Sequence, residues 1–322
     1  MFILGAGASY PEGVITDSDL AALGIPLSAA TQDALARSGV KARRTILPDG
    51  FIRTHKGADV LQSRAAATSS PTALGLAAAR QALARAGVAA EQVGLVLADC
   101  ATPRQTCPSE AQRIAGSLGL KVPAYDITAG IGALALVLDV LGSWKPERVP
   151  DYVLCMSTNT PTELVRYGED PLAASLLGDA ASAVVVSPRH RAGLEARRSF
   201  LTRDRSVRPP VSVSRAVSVD LSMPGELLRN QLSSGLLQLG APKAARLIGP
   251  QLFGAELQRI AASLSVDPDK VVDSAKEAGY SLGSSLGCAL SAVWDEVSRG
   301  ESVAILHEGD GISAGALLER VG

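Results

Sequence analysis

The sequence predicts an α/β protein built from two similar halves, and three observations predict it. Apolar runs of strand length alternate with helical stretches along the chain. The order of these pieces in the first half recurs in outline in the second. Two helices, one in each half, are apolar on nearly every face and so must be buried on every side.

The elements follow in order. Thr72 to Ala86 is an Ala-rich helix that Gly87 ends, and Val93 to Ala98 is a buried strand. Pro108-Ser109-Glu110 opens a helix running to about Leu118, because proline suits a first helical turn. Pro123 to Ile127 is a strand, and Ile131 to Leu141 is the first all-apolar helix. Tyr152 to Met156 and Ala183 to Val186 are further buried strands. In the second half Ala255 to Leu264 is a helix, followed by a polar turn and the strand at Val271-Val272. Leu282 to Val297 is the second apolar helix. The halves divide as 1–190 and 191–322. The seven arginines between Arg189 and Arg208 read as a solvated connector, with a docking patch for an acidic partner as the sharper alternative.

Composition excludes several function classes. With 47% hydrophobic and 20% charged residues the chain is globular rather than disordered. A net charge of -1 gives no general pull toward nucleic acid or anionic lipid. The longest apolar runs, such as Ala129 to Val140, are too short to span a membrane, and Met1 to Gly5 lacks a charged leader region. Cys100, Cys107, Cys155 and Cys288 form no C-x-x-C pair and there are three histidines, so neither a metal nor a cofactor is expected. Reduced thiols in a cytoplasmic protein are the expectation, with Cys155 and Cys288 as small core residues.

Several segments resemble the β-ketoacyl-[acyl-carrier-protein] synthase III family. Ala36 to Arg44 is similar to its "R-x-G-I-x-x-R" start, and Ala86-Gly87-Val88 through Leu97 to its "A-G-I-x-x-x-x-I-D-L-I". Pro108-Ser109 through Leu118-Gly119 is similar to "P-S-x-A-x-x-I-x-x-x-L-G". Leu177-Gly178-Asp179-Ala180 resembles the "G-D-G-A" turn, and Gly309 to Gly315 the terminal glycine loop. The set runs in order over nearly the whole chain. It implies the thiolase fold, two duplicated βαβαβαββ halves in a five-layer αβαβα arrangement.

The resemblance also implies a Cys-His-Asn site, and here all three positions differ. The cysteine belongs in "D-x-x-x-x-C-x-G", where this chain reads Asp126 to Ala133. Ungapped counting puts Ile131 at the nucleophile, and a shift of one puts Gly130 there. Neither has a nucleophilic atom. Thr128 has the nearest hydroxyl. The histidine of "H-Q-A-N" is Pro250, which offers no ionisable group and no backbone donor. The asparagine of "G-N-T-S-A-A-S" is Tyr280. At the substrate mouth Arg37 matches an arginine that contacts coenzyme A in the family, together with Gly309 and Gly311 of the glycine loop. The family tryptophan four residues earlier is Asp33, and a second arginine position is Pro171, with Arg166 as a substitute. His307 precedes the glycine loop, while His55 and His190 fall in polar segments.

Proteins of this fold are dimers, and inactive chains paired with active ones occur among them. Tyr125-Asp126-Ile127-Thr128 is similar to the "F-D-L-T" of the inactive chain in the quinolone-forming ketosynthase pair. The resemblance implies a non-catalytic subunit, paired as a hetero- or homodimer with a synthase III-like chain. Acyl-CoA or an acyl carrier protein would be the further partner, in fatty-acyl or specialised-metabolite biosynthesis. Two alternatives stand beside it. One is an acyltransferase-type enzyme with a reassigned site using Tyr280, Ser281, Thr128 or His307. The other is a scaffold that binds an acyl ligand or carrier.

Overall fold

The computed structural model describes residues 1–128, 133–203, 210–221, 225–240, 244–264, 266–309 and 312–322. The first half supplies five strands to the large sheet: β1 (Phe2–Ser9), β2 (Leu95–Asp99), β3 (Ala124–Asp126), β4 (Val153–Asn159) and β5 (Ala180–Ser187). The second supplies β6 (Leu194–Arg203), β7 (Arg246–Ile248), β8 (Val271–Val272), β9 (Ser302–Gly309) and β10 (Ile312–Arg320).

All ten join one sheet in the order β8-β7-β9-β10-β6-β1-β5-β4-β2-β3. Each set of five therefore runs third, second, fourth, fifth, first. Pairing repeats as well. β2 lies parallel to β3 and β4, as β7 does to β8 and β9, and the remaining neighbours within each set are antiparallel. The two sets meet where Phe2 and Ile3 pair with Glu195 and Leu194.

Seven helices matter for the site: α1 (Ala29–Ser38), α2 (Pro71–Ala86), α3 (Glu110–Ser117), α4 (Ala133–Ser143), α5 (Gly225–Leu239), α6 (Gly254–Ser263) and α7 (Ser284–Ala292). Local chemistry sets their ends. Ser70 caps α2 by accepting from the Ala73 N–H, Pro71 occupies its first turn, and Gly87 closes it in the left-handed region. Ser109 caps α3 in a box with Gln112, and the Asp126 carboxylate accepts from the Glu110 and Ala111 N–H groups. The second apolar helix is shorter than its apolar run. Leu282 has φ of 54°, outside the helical region, and the chain leaves the helix at Val293.

Side-chain alternation along the strands sorts the core into three apolar layers. Val96 and Leu154 face Ala78, Ala82 and Ile114 of α2 and α3. Leu95 and Val153 of the first set, with Val303 and Ile305 of the second, face Leu134, Leu138, Leu286 and Leu290 of α4 and α7. Ala304 and Leu306 face Leu228, Leu232, Leu257 and Ile260 of α5 and α6. The stack is α-β-α-β-α, the expected five-layer thiolase arrangement. Cys155 and Cys288 are buried in it.

The first part of the arginine-rich stretch is not a connector. Leu194–Arg203 is strand β6, pairing along nearly its whole length with β10, while Arg205 and Arg208 lie outside the described residues. Two of its charges pair locally, Arg197 with Glu195 and Glu319, and Arg189 of the preceding turn with Asp151. The backbone ladder outweighs the surface chemistry of the side chains.

The turn before β5 is strapped to the segment before α7. The Gly178 N–H donates to the Tyr280 carbonyl at 3.0 Å, and the Tyr280 N–H donates to Leu176 O at 2.8 Å. A Cβ on Gly178 would lie 1.9 Å from the Ala278 carbonyl oxygen, a backbone atom that cannot swing aside. Gly178→Ala is therefore expected to destabilise the chain by about 2–3 kcal/mol, read as a lower urea midpoint with an unchanged slope.

Candidate functional site

In α/β proteins chemistry gathers at the carboxyl ends of the parallel strands, and here those ends from both halves converge on the start of α7. From the first half, the Ser157 hydroxyl donates to the Asp99 carboxylate at 2.7 Å, and Ser284 Oγ donates to the Ser157 carbonyl at 3.0 Å. The Asn159 amide donates to Ser284 Oγ at 3.1 Å and accepts from the Ala101 N–H at 2.8 Å. From the second half, Gln251 donates to Gly249 O and Val272 O and accepts from the Ser274 N–H, while Ser274 Oγ donates to Ser285 O. Asp99, Asn159 and Ser284 have no exposed surface. Buried polar groups need partners, and these clasp the two halves together at the site.

Pro250 is buried two residues beyond Ile248 in β7. Ile248 pairs in parallel with Ile305, and His307 stands two residues beyond Ile305 in β9. Both therefore lie at the carboxyl ends of neighbouring strands. His307 is 1% exposed and alternates onto the same face as Val303 and Ile305, toward α4 and α7. Tyr280 is also 1% exposed and packs into the apolar cluster with Leu176, Leu177 and Phe253. Its backbone is fixed by the strap to Gly178, so the ring fills core volume. Ile131, Gly130 and Gly311 lie outside the described residues. Gly309 ends β9. Thr128 donates to the Cys100 carbonyl at 3.5 Å, a long contact at the end of β2.

Among the described residues, one cavity beside these groups is small. Between α4 and α7 the cavity lined by Leu134, Val137, Met156, Ser157, Ser182 and Gly283 measures about 20 Å³. That is room for one water, against the several hundred Å³ of an ordinary ligand pocket.

A larger cavity of about 670 Å³ opens at the surface between α1, α5 and α6. Asp33 and Arg37 line it, together with Glu226, Arg229, Glu256 and Arg259. Arg37 is engaged there. Its Nε meets Glu256 Oε2 at 2.9 Å, one Nη donates to the Leu221 carbonyl at 2.7 Å, and its guanidinium lies 5.6 Å from the Phe253 ring centre. Pro171 begins a short helix, Pro171–Leu176, and Arg166 pairs on the surface with Glu169, so neither lines this cavity. His55 stacks on Phe51 and His190 on Tyr152, both exposed. Sequence reasoning missed Asp99, Ser157, Asn159 and Ser284. Their signal was a polar run, Ser157 to Thr160, ending an apolar strand.

No family model matches the chain. The β-ketoacyl-[acyl-carrier-protein] synthase III of Rhodospirillum centenum is 28% identical over 340 aligned residues, covering 99% of this chain and 98% of that protein. The 3-oxoacyl-[acyl-carrier-protein] synthase III structure from Aquifex aeolicus superposes with a TM-score of 0.83 at 23% identity, covering 99% of each chain. The chain is ketosynthase III-like. The Streptomyces glaucescens synthase III is 35% identical to it over 143 residues, 44% of the chain. The tetronic acid condensing enzyme AbyA1 shares the fold, with a TM-score of 0.78 at 19% identity and 99% coverage of both chains. No described helix of this ketosynthase III-like chain is long and apolar enough to cross a membrane.

The "G-D" turn explains part of its architecture. Asp179 has no exposed surface and accepts from the Ile46 and Thr162 N–H groups and the Thr162 hydroxyl. Burial outweighs these bonds and pushes its pKa from 3.8 up to about 7. The folded state therefore holds this proton more tightly than the unfolded state. That contribution is full below about pH 4 and is lost as the pH rises to about 7. Asp179→Asn, whatever its absolute stability, is expected to lack this loss. The urea midpoint of the unaltered protein should fall relative to that of the variant as the pH rises across the interval, and parallel curves would contradict the assignment.

Proposed function

We propose that this chain is the non-catalytic member of a ketosynthase III-like pair. It supports acyl transfer or condensation carried out by a partner chain with an intact Cys-His-Asn set, in fatty-acyl or specialised-metabolite biosynthesis. The observation that carries the reading is the burial of Pro250 and Tyr280, the residues that the sequence resemblance sets against the family's histidine and asparagine. One is unable to exchange a proton, and the other is spent on packing. A site of this kind acts as a unit, so a single surviving partner would add little. The cavity of about 20 Å³ that the described residues of α4 and α7 enclose supports the same reading, since it is too small for an acyl chain. The intact scaffold supports pairing over decay, because a chain released from function has no reason to keep a fully bonded polar clasp.

One observation favours a second reading, an acyltransferase with a reassigned site. His307 is a buried titratable group at the carboxyl end of β9, beside the strand that carries Pro250. Under that reading His307→Gln would lower acyl-CoA turnover at least tenfold. Under the first, the chain alone has no turnover to lose.

The test is an assay of acyl-CoA condensation with a malonyl thioester. The purified chain alone should give no product, and co-expression with an intact synthase III chain should yield a stable complex that does. Condensation by the chain alone would overturn the proposal.

A further inference from the structure

We propose that Glu256 bars phosphate-bearing thioester carriers from the mouth of this chain, so that a pair takes up its carrier through the partner's mouth alone. This rests on the pairing reading above and adds to it which of the two mouths is used.

An arginine-lined surface cavity of about 670 Å³ is suited in size to a nucleotide or a phosphopantetheine arm. Guanidinium groups bind phosphate through paired, charge-assisted hydrogen bonds. The lining here carries three guanidiniums, Arg37, Arg229 and Arg259, but also three carboxylates, Asp33, Glu226 and Glu256. The described lining therefore has no net charge to offer an anion.

The innermost cation is already taken. Arg37 and Glu256 are in contact at 2.9 Å with side chains 22% and 13% exposed, so water screens the pair little. A phosphate reaching Arg37 would have to displace this carboxylate and then stand beside it.

The pair is built into the fold. Glu256 sits in the first turn of α6, where the helix N-terminus favours a negative side chain. Its Oε1 lies against Gly225, the first residue of α5, so closely that a Cβ there would come within 2.2 Å. Arg37 is steered to it from the last turn of α1 by the Leu221 carbonyl and the Phe253 ring. The carboxylate thus occupies a fitted position at the cation a phosphate would seek.

Coenzyme A is the probe, and its binding to the purified whole chain is measured by titration calorimetry. Glu256→Gln removes the charge and keeps the size. It should bind coenzyme A at least tenfold more tightly than the unaltered protein, and Arg37→Met in the same background should abolish that gain. Equal affinity in the unaltered chain and Glu256→Gln would overturn the proposal, as would a gain that survives Arg37→Met. Asp33→Asn with Glu226→Gln relieves the lining without touching the ion pair, so it tests the idea even if Glu256→Gln fails to fold. With Glu256 still seated on Arg37 this variant should bind coenzyme A no more tightly than the unaltered protein, and a tenfold gain here would overturn the proposal. No partner chain enters these titrations. The pairing reading fails separately, by the absence of a complex.

Discussion

Helices α4 and α7 lie between the two five-stranded sets with apolar side chains on most faces, and this dry middle layer governs what the site can be. A polar group placed there must find its partners within the protein or cost the fold heavily. Asp99, Ser157, Asn159 and Ser284 satisfy one another across the start of α7. Gln251 and Ser274 do the same from the other half. The two halves are held in register at the one place where their strand ends meet. The outer layers can vary around this seam, and the seam cannot lose a member without leaving a buried orphan.

The same dryness gives the substitutions their meaning. A histidine or asparagine at the carboxyl end of a strand is expensive unless catalysis requires it. Pro250 ends β7 without a side-chain donor, and the Tyr280 ring fills volume among Leu176, Leu177 and Phe253. At the mouth the logic is electrostatic. Arg37 is kept, but its charge is spent on Glu256. Packing holds Tyr280 in the interior, and an ion pair holds Arg37 at the surface cavity.

Much of the fold was legible in the sequence. The Ala-rich α2 ending at Gly87, the capped α3, the all-apolar α4 and the glycine-aspartate turn each announce themselves through local chemistry. Strand β6 did not, because its arginines disguise an alternation that only the ladder to β10 reveals. The second apolar helix looked longer than it is, since the apolar run continues past the point where Leu282 turns the backbone left-handed. The triad positions rest on counting from the motifs, which leaves Gly130 or Ile131 at the nucleophile. Their consequences could not be read that way, because the engagement of Arg37 depends on Glu256, 219 residues away in the chain. The Asp99 seam was equally hidden, being assembled from three separate segments. Pairings of that kind leave no trace in local spacing.

The central claim is that this chain holds no acyl nucleophile, and intact-protein mass spectrometry tests it most directly. The purified chain is incubated with an acyl-CoA beside an intact synthase III as a positive control. The account predicts that the control gains the mass of one acyl group while this chain's mass stays unchanged. A stoichiometric acyl adduct on this chain, mapped to a residue at the strand ends around α7, would contradict it.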